Sequence, residues 1–268
     1  MLDNRNLMTI KKYEPIIGKR RLALLSDIDP KFTSKEISDL EIAKQLTSLV
    51  TIVKCLESTP HFNSTLLIRN LHYTTVLTKK EYLEKYPEGL ELIEEDADKF
   101  AAVLPSGSRY LVMNQSLSLR MLAHELLHLC NIIHQTLTDK TIYVNGFLFD
   151  VSYNFEIGKG LNEGTTCLLT TKLFCDNATE TEVYACLEHA VARFSNLVDF
   201  DNIKRYYSEA NLLGLIESQE IDKPVNVLRF CRYLDDFYYK NPKNGRINDA
   251  KGFYKADKLL TKWERKRI

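Results

Sequence analysis

The segment of residues 117–130, LSLRMLAHELLHLC, constrains the fold of this chain more than any other part of the sequence. Its apolar residues fall on nearly every side of a helix, which is the pattern of a helix buried all round. Two histidines and a glutamate, His124, Glu125 and His128, lie inside it. Burying such polar groups costs free energy unless each has a partner. We therefore expect a buried helix with a polar centre.

The spacing of His124 and His128 suits joint binding of one metal ion. Residues four apart on an α-helix lie about 40° apart around its axis, so both imidazoles project from one face. Zinc accepts imidazole nitrogen at about 2.0–2.1 Å. Glu125 follows the first histidine and can take a proton from water at the metal. The H-E-x-x-H pattern thus predicts zinc on His124 and His128 with Glu125 as general base. Two core histidines bonded to backbone are the alternative.

A third ligand is needed, and His134 is one candidate. With Asn131 at the glycine position, it completes the metzincin pattern H-E-x-x-H-x-x-G-x-x-H. Metzincins also place a methionine turn beneath the metal, downstream of the third histidine. All the methionines here lie upstream, at positions 1, 8, 113 and 121. We therefore expect His134 to cap or follow the end of the helix.

Glu163 is the other candidate, and the segment around it carries a resemblance. Residues 161–164, Leu-Asn-Glu-Gly, resemble the third-ligand segment of the aminopeptidase branch of gluzincin metallopeptidases. That resemblance covers about residues 100–200 and implies a zincin-like scaffold whose single zinc is held by His124, His128 and Glu163. An interval of 34 residues separates His128 from Glu163, longer than in that branch, and no G-x-M-E-N motif occurs upstream. Exopeptidase activity is therefore not implied. Alternatively, Glu163 is a carboxylate at a helix N-terminus capped by Asn162.

The resemblance also implies a mechanism. Zinc would polarise the scissile carbonyl and activate water, while Glu125 accepts the water proton and passes it to the leaving amine. Gluzincins commonly stabilise the oxyanion with a tyrosine or histidine from the helical lobe. Candidates here are Tyr184, His189, Tyr206 and Tyr207. We favour Tyr184, because its predicted helix directly follows the helix of Glu163.

Periodicity along the chain predicts an α+β fold. Residues 1–150 are expected to form a mixed lobe with a small sheet and the H-E-x-x-H helix. Residues 151–268 are expected to form a mainly helical lobe, the two making one catalytic unit. In the first lobe we predict a helix at 34–56, β structure at 64–77, and hairpins at 100–113 and 141–150, the latter turning at Asn145-Gly146. Predicted helices in the second lobe span residues 163–174, 180–198, 202–216, 225–239 and 249–265.

Composition limits the partners that we expect. The chain has 36 basic and 36 acidic residues, so we do not expect nucleic acid as its main partner. We expect the basic stretch after residue 240 to be a solvated face, as local charge runs usually are. No secretory signal or membrane-spanning apolar run occurs, and the six cysteines form no Cys-x-x-Cys pair. We expect a cytoplasmic protein without a membrane partner that acts on peptides or proteins. A non-catalytic regulatory or protein-binding module with a zincin fold is the alternative.

Overall fold

The structure is a computed structural model. It describes residues 55, 56, 59, 62, 66, 70, 74–78, 84, 102–105, 109–113, 119–137, 140–151, 155–174, 181–218, 220–241 and 246–267. Within them the fold is mixed α+β and mostly helical, as predicted. The chain divides into two compact units, Met1–Cys130 and Asn131–Ile268. The division into lobes at 1–150 and 151–268 stays a prediction. Of the helix predicted at 34–56, the structure describes only residues 55 and 56, which are helical.

The first unit contains a described three-stranded sheet. Its strands are β1 (Thr74–Thr78), β2 (Ala102–Pro105) and β3 (Arg109–Met113), in the order β1-β3-β2. Strand β2 pairs antiparallel with β3, which confirms the hairpin predicted at 100–113. The expectation of β structure throughout 64–77 is wrong, because Leu66 and Asn70 are helical. The β propensity of this segment does not decide its structure, because Asn70 is buried and its side chain is hydrogen-bonded to the backbone of Leu129, which is distant in sequence.

The helix α1 (Leu119–Asn131) contains the H-E-x-x-H segment. Its fully or almost fully buried apolar residues are Ala123, Leu126, Leu127, Leu129 and Cys130. The last carbonyls of a helix have no partner within it. One of them, the Leu129 oxygen, accepts a hydrogen bond from Nδ2 of Asn70 at 2.7 Å. The predicted burial of this helix is therefore confirmed for these residues.

The second unit begins with an antiparallel four-stranded sheet in the order β4-β5-β6-β7. Its strands are β4 (Ile132–Leu137), β5 (Lys140–Asn145), β6 (Leu148–Val151) and β7 (Phe155–Ile157). The pairing of Asn145 with Leu148 confirms the hairpin predicted at 141–150. Its loop is Gly146 and Phe147, one residue later than the predicted turn at Asn145-Gly146, because Asn145 is still paired in β5. Gly146 has a φ of 56°. Glycine adopts this left-handed conformation without the steric cost that other residues incur.

Helices form the rest of the described second unit. They are α2 (Lys159–Phe174), α3 (Glu182–Val198), α4 (Phe200–Ser208), α5 (Leu212–Ser218), α6 (Pro224–Lys240) and α7 (Lys251–Arg267). Four of the five predicted helices are present with shifted ends. The one predicted at 202–216 is two helices, because Ala210 has a φ of 52°. Oδ1 of Asn211 then accepts the Gly214 N–H at 2.8 Å, which begins α5.

The core of the second unit lies where α2, α3, α6 and α7 pack together. Phe194, Phe230 and Trp263 form an aromatic cluster with ring centroids 5.0 to 6.1 Å apart. Helix α2 packs closely on α3, because a Cβ atom at Gly164 would lie 2.6 Å from the backbone oxygen of Leu187. A glycine at this position thus sets the distance between the two helices.

Gly164→Ala should destabilise the protein by about 1–3 kcal/mol, because the added methyl group meets backbone that only a helix shift can move. Chemical denaturation of the variant and the wild type measures the difference. Asn196→Ala, at an exposed position of α3, is the control and should stay within about 0.5 kcal/mol. Equal stability of Gly164→Ala and the wild type would contradict this prediction, because it would show that α2 and α3 can move apart to accommodate the methyl group without loss of free energy.

Candidate metal centre

In the first unit, α1 brings the imidazoles of His124 and His128 together. Their Nε2 atoms lie 3.0 Å apart, and the ring planes are inclined at 74°. His128 is buried, whereas His124 and Glu125 are partly exposed. Two nitrogens bound tetrahedrally to one zinc would lie about 3.3 Å apart. The observed separation is close to that value, so the histidine pair fits a shared metal ion.

In the second unit, Glu163 lies on α2 and is only 3% exposed. The helix begins four residues earlier than predicted, because the Asn162 N–H already donates to the Gly158 carbonyl at 2.8 Å. The expectation that Asn162 is the N-cap is therefore wrong. Its side chain has another role: Oδ1 accepts the Phe147 N–H of the β5–β6 loop at 3.1 Å. Glu163 thus stands one turn inside the helix.

Asp235 of α6 caps the start of α2. Its carboxylate accepts the N–H groups of Gly158 at 2.9 Å and Gly160 at 2.8 Å. Burial raises the pKa of Asp235 to about 6; the two backbone bonds act against this rise, and nearby Glu156 and Asp236 add to it. We did not predict this role. The available signal was an acid on the buried side of an amphipathic helix.

Lys159, in the first turn of α2, forms an ion pair with Glu163. Its Nζ atom lies 2.7 Å from Oε1, and the two side chains are 23% and 4% exposed. Nζ also lies 5.7 Å from the ring centroid of Tyr238. Burial lowers the pKa of Lys159, but the charge of Glu163, with smaller effects of Tyr238 and Tyr143, raises it above its ordinary value. We did not predict this pair, although its i,i+4 spacing was a signal.

His124, His128 and Glu163 form a group that could hold a metal ion. One ligand atom from each residue lies within 4.8 Å of the others. Two imidazole nitrogens and a carboxylate oxygen are common metal donors, so the chemistry of the set fits such an ion. This grouping contains the three residues predicted as ligands.

His134 lies on β4, opposite Tyr143, so it follows the end of the motif helix as expected. Its side chain lies outside the described part of the structure, so a ligand role for His134 stays an alternative. The Tyr184 ring lies on α3, with its centroid 6.4 Å from that of Tyr238. Tyr184 is thereby linked through one further ring to Lys159. Its role as oxyanion donor stays a prediction.

The other candidate oxyanion donors have different surroundings. The buried Tyr207 hydroxyl is hydrogen-bonded to Oγ1 of Thr166 at 2.7 Å. Tyr206 packs its ring against the guanidinium group of Arg205. His189 is exposed on α3. The hydroxyl of Tyr207 therefore already supports the packing of α4 on α2.

No protein-family model, curated protein or solved structure matches this chain.

Among the described residues, no helix is both long enough and apolar enough to cross a membrane. The basic residues of α7 at positions 251, 255, 258, 262, 265, 266 and 267 are exposed, which confirms the predicted solvated face for this part of the chain.

Asp235 should make stability depend on pH. Its folded pKa of about 6 lies above the value of about 3.9 expected in the unfolded chain. The folded state therefore binds this proton more tightly, and the wild type should lose stability as the pH rises from about 4 to 6. The loss is of the order of 2 kcal/mol.

Asp235→Asn has no carboxyl group to titrate at this position and should not show this loss. The measurement is the free energy of unfolding of both proteins at several pH values. The contributions of the other titrating groups cancel in the difference between the two proteins. A difference that stays constant with pH, or that favours the wild type as the pH rises, would contradict the assignment.

Proposed function

We propose that the protein is a zinc-dependent peptidase with a gluzincin-like site. The observation that carries the proposal is the grouping of His124, His128 and Glu163, with Glu125 next to the first histidine in an H-E-x-x-H helix. A purely structural metal site has no use for a base beside its ligands. The α+β fold is compatible with a zincin-like scaffold, which is part of the proposal.

Zinc is the metal that this donor set favours. Imidazole nitrogens suit zinc better than magnesium or calcium, which prefer oxygen ligands. Three protein ligands leave the fourth position available, as in catalytic zinc sites. Bound zinc would supply Lewis acidity, which polarises the scissile carbonyl and makes water more acidic.

The chain's own residues would move the protons and hold the substrate. Glu125 accepts the proton of the attacking water and donates it to the leaving amine. Tyr184 is our candidate for donating a hydrogen bond to the oxyanion. Strand β2 is at one edge of the described three-stranded sheet, so an extended peptide could pair with its backbone. A peptide or protein substrate follows from that mode of recognition.

The cysteines support a reducing compartment such as the cytoplasm for this activity. Among the described residues, no disulfide joins the cysteines, which are Cys55, Cys130, Cys167, Cys186 and Cys231. Disulfides are rare in the cytoplasm, where thiols are kept reduced.

One observation favours the alternative, a non-catalytic regulatory or protein-binding module. Lys159 already compensates the charge of Glu163, so this carboxylate has a cation beside it without any metal. In such a module the two histidines would serve the core of the fold. Metal content and turnover distinguish the two functions.

Elemental mass spectrometry after dialysis against a weak chelator should find one zinc per wild-type chain. Glu163→Ala should lose the zinc because a ligand is missing, whereas Glu217→Ala, an exposed control on α5, should retain it. Glu125→Gln should retain zinc and lose peptide hydrolysis by about 10²–10⁴-fold, because only the base is removed.

Two results would count against this proposal. A wild-type chain that takes up no zinc, even after reconstitution, would leave the binding-module function in first place. Zinc retained by Glu163→Ala but lost by His134→Ala would show that the third ligand, and with it the gluzincin-like assignment, is wrong.

A further inference from the structure

We propose that Lys159 is a built-in counter-ion that exchanges with the metal at Glu163. The ammonium group neutralises the carboxylate when the centre is empty and leaves it when zinc binds. This inference rests on the proposed function, because zinc is the ion that takes its place. It concerns how tightly the centre holds its metal.

The contact between the two side chains is close and shielded from water. Nζ of Lys159 lies 2.7 Å from Oε1 of Glu163, whose side chain is only 4% exposed. Water therefore compensates little of this negative charge, and a buried carboxylate without a cation is strongly disfavoured. The ammonium supplies the compensation in the metal-free protein.

The backbone on both sides of Lys159 is fixed, so that exchange would need only side-chain movement. The N–H groups of Gly158 and Gly160 donate to Asp235, which holds the first turn of α2 in place. The lysine side chain is 23% exposed and thus reaches solvent. The Tyr238 ring, with its centroid 5.7 Å from Nζ, offers the displaced ammonium a cation–π contact.

Zinc and the ammonium cannot both be held tightly at this carboxylate. The ligand atoms of His124, His128 and Glu163 lie within 4.8 Å of one another, so an ion bound by them would lie near the ammonium. Two positive charges that lie near each other repel strongly where water is largely excluded. Zinc must therefore displace Lys159, and the free energy of breaking the ion pair weakens zinc binding.

The test is zinc affinity, measured by competition with a chromophoric chelator. Lys159→Met keeps an unbranched side chain of nearly the same length but removes its charge, and it should bind zinc at least about tenfold more tightly than the wild type. Lys159→Arg retains the charge and should remain near the wild-type affinity. Lys240→Met removes the lysine of an exposed i,i+4 pair, whose atoms lie 3.8 Å apart, and should leave zinc affinity unchanged. Zinc affinity of Lys159→Met equal to or weaker than that of the wild type would overturn the inference.

A second measurement uses the wild-type chain and does not depend on how well a variant folds. Limited lysine acetylation followed by mass spectrometry reports the reactivity of each ammonium group. Adding zinc should raise the labelling of Lys159 several-fold and leave that of Lys240 unchanged, because only Lys159 loses its carboxylate partner. Labelling of Lys159 that does not change, or that falls, would overturn the exchange.

The failure of this inference can be told apart from the failure of the proposed function. One zinc per wild-type chain, with the affinity of Lys159→Met unchanged, removes the exchange and leaves the zinc peptidase standing. A wild-type chain that binds no zinc removes both. Circular dichroism of each variant without metal checks that the fold is intact before affinities are compared.

Discussion

The hydrogen bonds from the start of α2 to Asp235 are the interaction on which the candidate centre depends. A helix leaves its first N–H groups without partners inside the helix. Asp235 accepts those of Gly158 and Gly160, and because it comes from α6 it also ties the two helices together. The rotation of the first turn is thereby fixed. The positions of Lys159 and Glu163 follow from it, since they lie in and just after that turn.

Small residues then determine how closely α2 approaches its neighbours. A Cβ atom at Gly160 would collide with the backbone oxygen of Leu234 in α6, and one at Gly164 with that of Leu187 in α3. The buried hydroxyls of Thr165, Thr166 and Thr170 donate to carbonyls four residues earlier in α2. Helix α2 can therefore be buried with polar residues along it, because each of these hydroxyls is bonded within the helix itself. Glu163 lies between these two glycines in the helix and is 3% exposed.

Local sequence signals predicted the elements that local interactions determine. The H-E-x-x-H helix and the hairpins at 141–150 and 100–113 were predictable, because periodicity and turn residues suffice for them. The signals failed where distant residues decide the structure. The helical state of Asn70 accompanies a bond to Leu129, 59 residues away, and the start of α2 is set by Asp235, 75 residues beyond Gly160. Grouping His124 and His128 with Glu163 was predictable from motifs, but the Lys159 ion pair required the helix to begin at Lys159.

Because α2 begins at Lys159, the helix dipole no longer explains why a carboxylate is present at Glu163. At a helix N-terminus the dipole would favour a carboxylate, whereas one turn inside the helix, at 3% exposure, burial disfavours it. Lys159 is placed equally poorly for stability, because the dipole disfavours a cation in the first turn. Each of the two charges compensates the other. However, apolar residues of similar volume often stabilise a fold as well as a buried ion pair does. Stability alone therefore does not account for the pair. A carboxylate that binds a metal, and an ammonium that replaces the metal in its absence, would account for both charges.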